Sequence, residues 1–156
     1  MQFTIVKNLK KDSTMNSILK GLIFFILLYI IADIFVKYVG IGLTLDTLNI
    51  SLFGNEEEYI EPMSQALFLE FWHTEIFFIM MILLTLSTVY IRLASNIRHY
   101  KYILNLVMSS AIISLISLPI AYYMSNDFIL IYILGYFIWH GGAIYMSLRS
   151  LWELYA

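Results

Sequence analysis

The sequence predicts an all-α fold, an integral membrane bundle of four transmembrane helices running up-down-up-down with both termini cytoplasmic. Three observations predict it. Apolar residues fill 61% of the 156 positions and charged residues only 13%, against about half and roughly a quarter in soluble domains. A water-soluble fold would have nowhere to hide that much hydrocarbon. Four apolar runs reach the roughly 20 helical residues that a bilayer crossing takes. Finally, Lys7, Lys10, Lys11, Lys20, Arg92, Arg98, Lys101 and Arg149 all fall on one side of those runs, and Lys37 alone falls towards the other. Positive charge collects on the cytoplasmic side, so an inner (plasma) membrane location with both ends inside is expected.

Residues 1–20 read as a cytoplasmic tail and residues 21–156 as one membrane domain. The first span is GLIFFILLYIIADIFVKYVG, 21–40. Its basic approach and the small residues Gly40 and Gly42 resemble a secretory signal, but the run exceeds the 7–15 apolar residues of such signals. It is read as a retained span. The outer loop, 41–64, repeats Ile41, Leu45, Leu48 and Leu52 at helical spacing, which predicts an amphipathic helix in the headgroup plane. The alternation of Leu48, Ile50 and Leu52 leaves a short strand open. Gly54 and Asn55 should end the element. An acidic cluster of Glu56, Glu57, Glu58 and Glu61 follows, and Pro62 suits the first turn of the next helix.

The second span occupies 65–91, with its most continuous apolar part from about residue 71. An inner loop, 92–101, leads to the third span, 102–124, and the link SND to the fourth, 128–148. Ser110, Ser114, Ser117 and Ala121 share one face of the third span, a small-residue seam for close helix approach. Pro119 should kink its outer end. The fourth span aligns Tyr132, Tyr136, His140, Ala143 and Ser147. Gly141 and Gly142 beside them would admit a close helix or a flat cofactor.

The candidate functional residues are ionisable groups inside the spans: Asp33, Lys37, Glu70, His73, Glu75 and His140. Charges at such depth are expensive, so pairing is expected, either as a structural salt-bridge and hydrogen-bond cluster that docks the first span onto the second or as a cation- or proton-binding site. Asp33 is too short to reach water, and Lys37 follows it at i+4 in the favourable order. Lys37 also stands at the height of Glu75 and Glu70 on the next helix. Glu70, Thr74, Thr85 and Thr88 form one stripe, read as the inward face, with His73 beside its upper end. Glu75 lies nearly opposite His73, because two residues turn a helix by about 200°. For His140 a hydrogen bond to a serine of the third span is expected.

Three functions fit this pattern. The first is binding or passing a proton or a metal cation through the outer-leaflet cluster, with Glu70 and His73, spaced Glu-x-x-His, as metal ligands. A divalent metal ion is one possible cofactor, although no cofactor is the simpler expectation. The second is a b-type cytochrome-like electron-transfer subunit with haem on His73 or His140. The third is an accessory subunit of a larger membrane complex. Expected partners are the lipid bilayer and other membrane subunits or further copies of the chain, with no nucleic acid. The absence of cysteine excludes disulfides and thiolate chemistry,. No activated nucleophile or phosphate loop points to an enzyme, and Arg98, His99 and Lys101 read as topology anchors.

Overall fold

Inside a bilayer a backbone must satisfy its own hydrogen bonds, so long apolar runs become helices. The computed structural model describes residues 13–93 and 97–155. Within them lie five helices: α1 (Ser13–Gly40), α2 (Leu45–Phe53), α3 (Gln65–Arg92), α4 (Ile97–Tyr123) and α5 (Phe128–Tyr155). All but α2 are long and apolar enough to cross a membrane. The part of the expected tail at residues 1–12 lies outside the described residues. From Ser13 onwards the remainder of that tail is already helical. Helix α5 likewise runs past residue 148, and α4 begins within the expected inner loop. A helix of 28 residues measures about 42 Å, which covers the headgroup zones as well as the hydrocarbon.

The outer loop forms a helix rather than a strand. Thr44 caps α2 by accepting from the Thr47 backbone amide, and the Thr47 hydroxyl answers the Thr44 amide. Gly54 ends it with φ 78°, where an added Cβ would meet Ile60 O at 2.5 Å. Leu48 and Leu52 are wholly buried, and they pack with Phe68, Leu118, Ile129 and Tyr136. The apolar face of α2 therefore covers one end of the bundle itself. Pro62 stands outside α3, whose N-cap is Ser64.

Helices α4 and α5 approach most closely. Ser110, Ser114, Ser117 and Ala121 are all buried along the seam. A Cβ on Gly135 would lie 2.9 Å from Ser110 O, and one on Gly142 would lie 2.2 Å from a Val107 methyl carbon. Gly142 thus serves a close helix neighbour. The seam is fastened by Ser114 Oγ, which donates to Tyr132 O across 3.2 Å.

Pro119 lies inside α4, which continues through it to Tyr123. Proline has no N–H, so the carbonyl of Leu115 loses its i+4 donor. The indole of Trp72 on α3 supplies one instead, Nε1 donating to Leu115 O at 2.8 Å. Trp72→Phe should therefore destabilise the protein by about 1–3 kcal/mol, the cost of an unmet buried carbonyl. In a Pro119→Ala background the new amide replaces the donor, and the same substitution should cost clearly less. Unfolding in mixed detergent and SDS micelles, followed by helical circular dichroism, gives the coupling. Strictly additive costs would refute the account.

Candidate functional site

Helix α1 brings Asp33 and Lys37 to one face, a turn apart. Lys37 is 4% exposed. Its Nζ lies 3.2 Å from Asp33 Oδ2 and 2.5 Å from Glu75 Oε2 on α3. Helix α5 closes the cluster with His140 and Tyr136. His140 Nε2 lies 3.0 Å from the same Asp33 oxygen, and the Tyr136 hydroxyl donates to it at 3.3 Å. The Lys37 ammonium also stands 4.7 Å from the Tyr136 ring centroid, a cation–π contact that strengthens when desolvated.

The imidazole is held on every side. Its centroid lies 3.8 Å from the Tyr136 ring and 3.7 Å from the Trp139 ring. Nδ1 lies 3.0 Å from the Tyr136 carbonyl. Both ring nitrogens therefore face acceptors, a carboxylate and a carbonyl. One proton held by the pair satisfies both, either on the ring, which then donates from each nitrogen, or on Asp33, which then donates to Nε2 while the ring donates from Nδ1. With that proton present on either partner, the charges of Asp33, Glu75, Lys37 and His140 sum to zero. Without it the cluster carries one uncompensated negative charge inside the spans, which costs several kcal/mol.

Asp33, Lys37, Glu75 and His140 are thus brought together from three helices, whereas Glu70 and His73 stand on the exposed side of α3. The inward face of α3 is the opposite of the one expected. It buries Phe68, Glu75, Ile79, Ile82, Leu83 and Leu86, while Glu70, Thr74 and Thr88 point out. The threonines explain the misreading. Thr74, Thr85 and Thr88 donate to the carbonyls of Glu70, Met81 and Leu84 on their own helix at 2.7–2.8 Å. Satisfied in this way, a threonine can face lipid without penalty. The near-opposition of Glu75 and His73 then puts His73 outside once Glu75 faces in.

The expected serine partner of His140 is also replaced. Ser110 and Ser117 donate to carbonyls of α4 itself, and Ser114 to Tyr132 O, so the imidazole meets Asp33. Tyr136 joins the site although it was not among the candidates. Its signal was its place one turn from His140 on the shared face of the fourth span. Among the described residues no group of three or more His, Asp or Glu side chains is placed to hold a metal ion, and the Lys37 ammonium fills the gap between the two carboxylates. His140 offers no free ring nitrogen to haem iron. Glu56, Glu57, Glu58 and Glu61 are all exposed near the α2 end.

A protein-family model described as a transmembrane helical domain matches residues 42–156, the stretch from just before α2 to the end of α5. No curated protein and no solved structure matches the chain. Four spanning helices and this match make the chain a multi-pass membrane protein in contact with lipid.

Proposed function

The chain belongs to the Aq_1264_TM family of transmembrane helical domains, and from that premise we propose that it binds a proton reversibly at the Asp33–His140 pair. The observation that carries this reading is the geometry of His140, with Nε2 3.0 Å from a buried carboxylate and Nδ1 3.0 Å from a carbonyl. The pair shares one proton, and Lys37 and Glu75 set the charge against which that proton is held. Lys37 acts as a resident cation, which favours proton binding over metal binding. The gathering of Lys20, Arg92, Arg98, Lys101 and Arg149 at the end away from α2 supports cytoplasmic termini and an inner-membrane orientation.

Proton uptake on acidification of the detergent-solubilised protein, followed with an indicator dye, tests the reading. Asp33→Asn and His140→Asn should each take up about one proton fewer per chain, and the double variant should lose no more than either single one, as coupled sites do. Uptake equal to that of the unaltered protein, or losses that simply add, would refute it.

A second reading, docking of α3 onto another membrane subunit or a second copy, is favoured by Glu70 and His73 on the exposed side of a spanning helix. Particle mass in detergent checks it. A monomer free of partners, unchanged by Glu70→Ala and His73→Ala, would count against docking.

A further inference from the structure

Helix α3 carries ionisable groups on two opposite sides, and only one side finds its counterions within the chain. Glu75 meets Lys37 inside the bundle, whereas Glu70 and His73 face outward. Among the described residues neither of these two side chains has a hydrogen bond or ion pair. Measured from the midpoint of Gln65–Arg92, Glu70 lies about 13 Å and His73 about 8 Å along the axis. Both fall within the roughly 15 Å half-thickness of a hydrocarbon core, where an unpaired charge is expensive. The outward face of α1 differs: its exposed Leu22, Phe24, Phe25, Leu28, Phe35 and Val36 are hydrocarbon that lipid accepts freely.

The outward face of α3 is also patterned. Glu70, Thr74, Phe77, Met81, Leu84 and Thr88 are all exposed and follow one another at steps of four, three, four, three and four residues. Alternating steps of this kind keep one seam turned towards a partner helix along its whole length. Thr74 and Thr88 have their hydroxyls bonded to their own helix, so they act on the seam as small residues that let backbones approach. His73 borders the seam, about 60° around the helix from Glu70.

We propose that this seam joins two copies of the chain, α3 against α3, with Glu70 paired to His73 in both directions. The proposal deepens the docking reading and rests on it. Copies whose basic flanks set the same orientation place their α3 helices parallel, about a two-fold axis along the bilayer normal. Such an axis sets one patch against itself, and every contact recurs with the roles exchanged. A patch holding an acid and a base one turn apart is its own complement. Glu70 stands about 4.5 Å in height from the partner's His73, a gap that the two side chains span. An unrelated subunit would have to supply both a base and an acid at that depth, whereas a second copy brings them by symmetry. Complementarity of this kind selects the partner.

The chain has no cysteine, so a single thiol introduced by Thr88→Cys reads the seam. In dilute proteoliposomes oxidised with copper phenanthroline it should give a disulfide-linked dimer, whereas Phe25→Cys on the outward face of α1 should not. Added to Thr88→Cys, Glu70→Lys sets bases against each other across the axis, and His73→Glu sets acids. Each should lower the crosslinked dimer about tenfold, equivalent to about 1.4 kcal/mol. Reconstituted together, the two variants match the new lysine with the new glutamate and the remaining histidine with the remaining glutamate. The mixture should restore the dimer, which also shows that both variants fold. Equal crosslinking through Thr88→Cys and Phe25→Cys, single variants that dimerise normally, or a mixture that stays monomeric would each overturn the proposal. A particle heavier than one chain in detergent, with no crosslink through Thr88→Cys, would leave the docking reading standing with another partner. A lone chain in detergent that also fails to crosslink in vesicles would remove both.

Discussion

Lys37→Met is expected to destabilise the protein by about 3–5 kcal/mol, the usual cost of breaking a buried ion pair by removing one partner. The methionine is close to lysine in length and apolar, so packing changes little and the loss reads as electrostatic. Asp33 and Glu75 would face each other across the space that the ammonium held at 3.2 and 2.5 Å. Adding Glu75→Gln removes one of the two exposed debts of charge and should restore much of the stability. SDS titration in mixed micelles measures both variants. A single substitution costing under about 1 kcal/mol, the value of a surface pair, would mean that Lys37 is hydrated rather than sealed between α1 and α3.

Asp33→Leu should be similarly damaging, about 3–5 kcal/mol, for a different reason. One oxygen of Asp33 meets Lys37, Tyr136 and His140 together, so its removal leaves Tyr136 and His140 without that partner and Lys37 with Glu75 alone. Asp33→Asn keeps an oxygen but not its charge and should cost less, about 1–3 kcal/mol. The ranking Leu worse than Asn, measured by thermal unfolding in detergent, is the check. Equal costs would show that shape rather than hydrogen bonding decides the position.

Much of this fold was legible because hydrocarbon runs and short links are local features of the sequence. The third and fourth spans read well for the same reason: their serines and glycines lie at a regular spacing and pack against each other. The polar face of α3 was not legible. A threonine bonded to its own helix is indistinguishable in sequence from one that seeks a neighbour, and three such residues outweighed a single Glu75. Asp33 and His140 were each read as polar groups within the spans, and they meet in the bundle. Their pairing was hidden because it depends on how two helices separated by more than 100 residues are placed side by side. Depth counted along each helix gives height and says nothing of azimuth.

The matched family region begins at residue 42, and α1 ends at Gly40. The four-helix remainder thus owns Glu75, Tyr136 and His140, while the oppositely charged half of each bond arrives on α1. Helix α1 behaves as a plug carrying its own pair of counterions, keyed to a socket that holds the complementary acid and base. Charge matching, together with the buried stripe of Leu19, Ile23, Ile26 and Ile30, fixes how far along the socket and at what rotation the plug must seat.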